Sequence, residues 1–373
     1  MTSTPSLSTT RRRRVFSEHL PPELLGERAT IDLLQRFNLE VIVALPPDRE
    51  TPPMAEALER LCQAGVPIGV WPLLEDAEGY WPSEQNVEAF VSRVSRALDF
   101  VTLGGASSML RTVAIDLEPP LEVTRLLLEG SLSDRLRTLA RGAKAARTAE
   151  RRNARTEAVE RFAALQHGLE ARGLETIATA IPPVLFDLEA GADYWQSLFR
   201  TPSWSASWSK VSPMMYTSIL RSFLPFQAPK AQKGEDEQTR GGLGSTLVYL
   251  AARALSAHAP ARASISLGCV GVGKLGDEPV MTHPAQLKRD VCAARSGGVD
   301  DLALFALEGV LASSSPEAWL SAFALDEPHD GISAPRFEPS RAVSSLVSGA
   351  TLVTRFLCGW TGARVTLSPR SQR

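Results

Sequence analysis

Short apolar runs alternate with longer amphipathic segments along almost the whole of this 373-residue chain. Short runs rich in valine, isoleucine and leucine are typical of buried strands, whereas apolar residues recurring every three or four positions are typical of helices. The first pattern occurs eight times. The predicted strands are Arg14–Glu18, Leu39–Leu45, Val66–Trp71, Thr112–Glu118, Glu175–Ile181, Lys210–Tyr216, Ala263–Val270 and Asp301–Glu308.

The segments between these strands have the helical pattern. The predicted helices include Pro53–Ala64, Glu84–Leu98, Leu132–Ala171, Ser245–Ala257, Pro284–Ser296 and Arg341–Leu357. Strands that alternate with helices indicate parallel crossover units. Eight such units predict an α/β chain with the (β/α)8 TIM barrel fold, as a single domain with long βα loops. A doubly wound open sheet is the alternative, because periodicity alone does not distinguish the two.

The domain prediction places the barrel at residues 14–362, between a disordered tail at 1–13 and a C-terminal tail at 363–373. The first residues are rich in serine, threonine and proline and lead into Arg11–Arg14. No apolar signal segment follows the arginines, and no run reaches the ~18 uncharged apolar residues of a membrane span. We therefore expect a cytoplasmic protein with no membrane partner.

Composition limits the classes of partner and cofactor. The chain is 44% hydrophobic and 22% charged, with a formal net charge of -2, which gives no reason to expect a nucleic acid partner. Neither the four cysteines nor the five histidines have metal-ligand spacing. We expect no cofactor and no metal, and the sequence does not determine the oligomeric state.

The fourth predicted strand ends in two acids one residue apart, Asp116 and Glu118, and two prolines then stop it. Alternation places Ala114 and both acids on one face and branched apolar residues on the other. Two carboxylates about 7 Å apart on one strand face repel each other, which raises the pKa of one of them. A glutamic acid with a raised pKa is suited to general acid catalysis.

Other strand ends also carry acids and large aromatic side chains. Because the carboxyl ends of barrel strands meet at one face, we expect these side chains to surround a common site. Aromatic rings beside carboxylates are typical of carbohydrate sites. The candidate substrate-binding residues are Glu18, Trp71, Trp81, Asp187, Trp204, Met214 and Glu308, with Tyr216 beside them.

Two of these motifs resemble the chitinase-like superfamily of TIM-barrel glycosidases. In that family the fourth strand ends in D-x-x-D-x-D-x-E, and the sixth carries Met-x-Tyr. Asp116 and Glu118 match the end of the first motif, and Met214 and Tyr216 match the second. The resemblance implies that Glu118 is the proton donor. It further implies that Asp116 and Tyr216 assist an acetamido group of the substrate.

The sequence departs from the family pattern at two positions, where Ala114 and Arg111 replace the earlier aspartates. Without the acetamido mechanism a second carboxylate is required, and the candidates are Glu308, Asp187 and Glu18. We therefore expect a glycoside hydrolase that cleaves an oligosaccharide, with a sugar-binding barrel that does not cleave as one alternative.

A metal-dependent sugar isomerase or epimerase is the other alternative. His19 follows the first strand and could join Glu18, Glu118 and Asp187 in an oxygen-rich divalent site. Gly271-x-Gly273-x-x-Gly276 follows the seventh strand, but the acids after it disfavour a dinucleotide, so we interpret it as a loop at the barrel mouth.

Overall fold

A computed structural model describes residues 12–120, 123–126, 130–223, 237–274, 276, 278–325 and 341–361. The strands are β1 (Arg13–Ser17), β2 (Glu40–Leu45), β3 (Ile68–Pro72), β4 (Leu110–Leu117), β5 (Glu175–Ala180), β6 (Lys210–Pro213), β7 (Ile265–Gly268) and β8 (Leu302–Phe305). The helices are α1 (Pro22–Leu25), α2 (Arg28–Arg36), α3 (Pro52–Gln63), α4 (Val87–Leu103), α5 (Leu132–Ala146), α6 (Ala149–Ala171), α7 (Val184–Ala190), α8 (Tyr194–Phe199), α9 (Thr217–Phe223), α10 (Glu237–His258), α11 (Pro284–Ser296), α12 (Leu307–Ala312), α13 (Pro316–Phe323) and α14 (Arg341–Thr361).

The eight strands form one parallel sheet in the order β6-β5-β4-β3-β2-β1-β8-β7. Strands β6 and β7 meet through two isolated parallel bridges, one of which joins Met214 to Ser266. The Met215 N–H donates to the Ser266 carbonyl at 2.8 Å. The sheet therefore curves into a nearly closed ring with helices around it, and the predicted single-domain (β/α)8 TIM barrel is confirmed.

Alternation along each strand divides the core into two parts. On β4, Val113, Ile115 and Leu117 belong to the larger apolar cluster between the strands and the helices. Ala114 belongs to a smaller cluster inside the barrel, together with Phe16. The faces predicted for β4 are therefore confirmed, and they point Asp116 into the barrel.

An ion cluster fills the amino-terminal end of the barrel. Arg14 of β1 points inward and is fully buried. Its guanidinium pairs with Glu40 at 3.3 Å, with Glu175 at 2.5 Å and with Asp301. Because the three acids stand on or beside β2, β5 and β8, this one cation links four parts of the ring.

Three predicted elements differ from the structure. The helix predicted over Leu132–Ala171 is two helices, because the Thr148 hydroxyl accepts the Arg151 N–H at 3.3 Å and caps a new helix there. Strand β6 ends at Pro213, after which the Met214 N–H still donates to Ala180 of β5 and the Met215 N–H donates to Ser266 of β7, each at 2.8 Å. Strand β8 ends at Phe305, and the chain turns into α12 within two residues.

The predicted tails lie almost entirely outside the described residues. Only Arg12 and Arg13 of the predicted segment 1–13 are described, and Arg13 begins β1. Residues 363–373 lie outside as well. Within the described ranges, none of the helices combines the length and the apolar content needed to cross a membrane.

Candidate active site

A cavity of about 610 Å³ opens at the carboxyl ends of the strands. Cavities of this size hold small-molecule ligands, and this end of a TIM barrel is where its enzymes bind their substrates. Seven of the predicted site residues line it: Glu18, Trp71, Trp81, Asp116, Glu118, Met214 and Tyr216. The tertiary structure thus brings together side chains from the ends of β1, β3, β4 and β6.

Asp116 is the buried carboxyl of the site. The register of β4 and β5 places it directly beside Thr179, whose hydroxyl donates to Asp116 Oδ1 at 2.5 Å. Burial is the main cause that raises the pKa of Asp116 to about 7. The Thr179 hydrogen bond lowers this pKa, and the negative charge of Glu18 raises it.

Glu118 follows the last residue of β4, and its backbone N–H donates to the Asp116 carbonyl at 3.1 Å. The side chain is half-buried and lines the cavity. In the described part of the chain, no group donates a hydrogen bond to its carboxyl. Burial, followed by the charges of Asp116, Glu18 and Glu278, raises the pKa of Glu118 well above its usual range. Glu118 therefore holds its proton more strongly than an exposed glutamate does.

Glu18 follows β1 on the opposite side of the cavity mouth. The Tyr80 hydroxyl donates to its Oε1 at 2.8 Å. Burial raises the pKa of Glu18 to about 7; the Tyr80 hydrogen bond lowers it, and the charges of Glu308 and Glu278 raise it. A carboxyl with this pKa exchanges protons readily near neutral pH.

The loop after β7 brings a cation and a further acid to the site. Lys274 Nζ lies 4.0 Å from the centre of the Tyr80 ring and 2.7 Å from Asp76 Oδ1. A Cβ atom on Gly273 would lie 3.0 Å from Glu18 Oε2 and 3.2 Å from Glu278 Oε1. A side chain at this position would push the two carboxyl groups aside by a few tenths of an ångström, so glycine allows the backbone to pass close between them.

Aromatic rings surround these acids. Phe16 and Trp71 contact edge to face at 5.4 Å between ring centres, and Tyr216 stacks on Phe305 at 5.6 Å. Among the described residues, the Tyr216 hydroxyl has no hydrogen-bond partner, and burial raises its pKa well above the usual range. The hydroxyl can therefore donate a hydrogen bond to a ligand in the cavity.

The rest of the cavity is bounded by helices and is apolar. We name this surface the apolar wall: Phe186 of α7, Ile219 of α9, Leu247 and Leu250 of α10, and Val343 and Val347 of α14. Helix α14 packs against α7 and α10. The sequence prediction did not include this wall, because helical periodicity marks an apolar face without showing that the face lines a cavity.

Three predicted site residues do not line the cavity, and two of them lie in the connection between β5 and β6. Asp187 is fully buried in α7, and its carboxyl accepts the backbone N–H groups of Trp195 at 3.0 Å and Gln196 at 2.9 Å. Trp204 is 2% exposed, and its indole donates to the Val184 carbonyl at 2.8 Å. Both side chains stabilise the connection between β5 and β6, so their predicted positions at the site are wrong.

Glu308 is also placed differently from the prediction. It lies in the first turn of α12 rather than at the end of β8. Its Oε1 accepts the backbone N–H groups of His19 and Leu20, the latter at 2.9 Å. Glu308 therefore holds the loop after β1 and reaches the site only through its charge on Glu18.

Three polar residues close to the site carboxyl groups, as well as Thr124 and Glu189 farther along the cavity lining, were not among the predicted site residues. Thr179 is detectable in principle, because it occupies an inward position of β5. Lys274 and Glu278 lie in a glycine-rich segment that the sequence identifies as a mouth loop. Sequence alone gives no sign that this loop folds back over Glu18.

No protein-family model and no curated protein matches this chain. Solved structures do match. The chain is similar to glycoside hydrolases and chitinases of the TIM-barrel fold. The PgaB (BpsB) glycoside hydrolase domain from Bordetella bronchiseptica is 10% identical with a TM-score of 0.46, and the match covers 84% of this chain and 99% of that one.

Two further structures illustrate the range of these matches. A chitinase from Chromobacterium violaceum is 12% identical, with a TM-score of 0.45 over 84% of this chain and 98% of that one. A xylose isomerase domain containing protein from Salmonella typhimurium is 13% identical, with a TM-score of 0.40 over 83% and 93%. The likeness is one of fold.

The isomerase alternative requires a group of metal ligands. In the described ranges, no three His, Cys, Asp or Glu side chains are arranged to hold a metal ion. His19 Nε2 lies 3.6 Å from Glu18 Oε2. Asp187, which the isomerase alternative also requires as a ligand, does not line the cavity.

Proposed function

We propose that this chain is a glycoside hydrolase in which Glu118 is the general acid. The observation that carries the proposal is the placement of Glu118: a carboxyl that lines the cavity beside Asp116 and Glu18, accepts no hydrogen bond from a described group, and has its pKa raised by burial and by neighbouring acids. Such a carboxyl can give its proton to a glycosidic oxygen.

In the proposed reaction, Glu118 protonates the glycosidic oxygen as the bond from that oxygen to the anomeric carbon breaks. The aglycone leaves as an alcohol. A water molecule adds to the anomeric carbon and loses its proton to Glu18, the second carboxyl of the cavity that has a pKa of about 7. Solvent returns the proton from Glu18 to Glu118, so that atoms and charge balance.

Two further residues support this assignment. Asp116 raises the pKa of Glu118 through its charge. The Tyr216 hydroxyl faces the cavity without a described partner and can donate a hydrogen bond to the sugar. Asp187 and Glu308 are not assigned a role as base, because neither lines the cavity; backbone N–H groups occupy both carboxyl oxygens of Asp187 and Oε1 of Glu308.

The test is a panel of 4-nitrophenyl and alkyl glycosides of common sugars, in both anomers, assayed with wild type and Glu118→Gln. A general acid matters most when the leaving group is a poor one. We therefore expect a rate loss of at least ~10²-fold with alkyl glycosides and a smaller loss with 4-nitrophenyl glycosides. Glu23→Gln, at an exposed position of α1, is the matched control and should behave as wild type.

Equal losses for both leaving groups would remove Glu118 from the role of proton donor. The non-catalytic alternative is favoured by one observation, since Ala114 places a methyl group inside the barrel where the chitinase-like pattern has a carboxylate. Saturable binding of a sugar by wild type, without turnover of any glycoside in the panel, would support that alternative.

A further inference from the structure

The cavity combines two surfaces of opposite chemistry. One surface carries the carboxyl groups of Glu18, Asp116 and Glu118 together with the hydroxyl of Tyr216. The other is the apolar wall, in which Phe186, Ile219, Leu247, Leu250 and Val347 are each only half-buried. A single ligand that fills the cavity must therefore meet both a polar and an apolar surface.

The polar groups near the apolar wall are already engaged. Glu189 of α7 accepts the Thr351 hydroxyl of α14 at 2.5 Å. The Trp195 indole donates to Thr354 at 3.0 Å, and Arg355 donates to the Glu189 carbonyl at 3.0 Å. These bonds fasten α14 against α7 and α8; apart from Glu189, the side chains of these helices that line the cavity are aliphatic or aromatic.

A sugar ring is a poor occupant for this part of the cavity. Each ring hydroxyl buried against the apolar wall would lose its bonds to water without replacement. A hydrocarbon chain has no such loss, and each methylene that leaves water for apolar surroundings strengthens binding about fourfold.

We propose that the substrate is an amphiphilic glycoside whose hydrocarbon aglycone binds along the apolar wall while its sugar lies beside Glu118. The proposal rests on the proposed hydrolase function for the identity of the head group. The proposed substrate is a sugar linked through oxygen to an alkyl or isoprenoid chain. Hydrolysis releases the free sugar and the long-chain alcohol.

The first experiment tests the apolar wall without any glycosidic bond. Binding of 1-hexanol, 1-octanol and 1-decanol to the full chain is measured by isothermal titration calorimetry. We expect affinity to rise by about two orders of magnitude from hexanol to decanol. An affinity that does not depend on chain length would overturn the proposal.

A matched pair of variants on α14 locates the binding. Val347 lines the cavity, whereas Val353 is 56% exposed on the same helix. Val347→Asn is expected to weaken decanol binding at least about tenfold, because it puts an amide against the chain. Val353→Asn should leave binding unchanged, and equal behaviour of the two variants would overturn the proposal.

A second variant tests the same wall in case Val347→Asn does not fold. Ala350 also lines the cavity, and Ala350→Phe would fill space there without adding a polar group. We expect it to reduce decanol binding more than hexanol binding. Thermal melting of each variant shows whether the fold is intact.

The two proposals fail separately. With a decyl and a methyl glycoside of one sugar, Val347→Asn should lower kcat/KM more for the decyl than for the methyl compound, whereas Glu118→Gln should slow both compounds. If decanol binds as expected and no glycoside is cleaved, the hydrolase assignment fails and the assignment of the wall to a hydrocarbon chain stands. If wild type cleaves both glycosides with equal kcat/KM, the proposal of an amphiphilic substrate is refuted and the hydrolase proposal stands.

Discussion

Replacing Glu18 with glutamine is expected to stabilise the protein at alkaline pH while removing the proposed base. Glu18 is 3% exposed and lies near two further acids, Glu278 and Glu308. Glutamine keeps the oxygen that accepts the Tyr80 hydroxyl. The substitution therefore removes the charge with little change of shape.

The direction of the effect follows from the pKa of Glu18 in the two states. The unfolded chain has the ordinary value of 4.5, and the folded protein has a value of about 7. Between these values the folded state holds a proton that the unfolded state has lost, so stability falls as pH rises and is constant above about 7. The interval from 4.5 to about 7 corresponds to a loss of about 3 kcal/mol, which Glu18→Gln does not incur.

Urea unfolding at pH 4.5 and pH 8 measures this difference. We expect the stability of Glu18→Gln relative to wild type to increase by about 3 kcal/mol between the two pH values, with an unchanged dependence on urea. Glu23→Gln, on exposed α1, should follow wild type at both. Parallel stability profiles for wild type and Glu18→Gln would refute the reasoning, since they would mean that Glu18 ionises normally in the folded protein. Hydrolysis by Glu18→Gln should fall at least ~10²-fold.

Two further predictions concern the site and the core. Tyr216→Phe keeps the stacking on Phe305 and removes only the hydroxyl, so we expect kcat to fall about 10- to 100-fold while the melting temperature stays within error; kinetics equal to wild type would show that the hydroxyl does not contact the substrate. Arg14→Met removes the buried cation that three carboxylates share at the amino-terminal end of the barrel, although Arg12 still pairs with Glu175 and Lys210 still lies 3.9 Å from Asp301; urea unfolding should show a loss of about 3–5 kcal/mol. Arg28→Met, at a side chain that is 81% exposed, is its control, and a similar small effect for both would contradict the structural role of Arg14.

Strand positions were predictable because alternation is a local property of the chain. All eight predicted strands overlap an observed one, and the inward face of β4 follows from Ala114 and Asp116. Glu18 and Trp71 reach the cavity for the same reason, since each stands at or just past the end of a barrel strand. In a parallel barrel such ends share one face.

The errors lie where the chain leaves a strand. Asp187 and Trp204 follow β5 at some distance, and their orientation depends on how α7 and α8 fold back onto the barrel. Glu308 does not line the cavity, because β8 ends three residues before the predicted end and a helix begins there. Such turns are fixed by tertiary hydrogen bonds, which leave no periodic signal in the sequence.

By itself, the order of apolar and polar residues determined eight strand–helix units, the parallel direction of the strands and the two acids at the end of β4. This is possible because the period of two in a strand and the period near four in a helix are set by backbone geometry. Only the tertiary structure decided that the ring of strands nearly closes, which acids share a cavity, and how burial and neighbouring charges raise the pKa of Glu118. Only the tertiary structure brings α7, α9, α10 and α14 together to form the apolar wall beside those acids. Contacts between distant segments depend on packing in three dimensions, which no local pattern encodes.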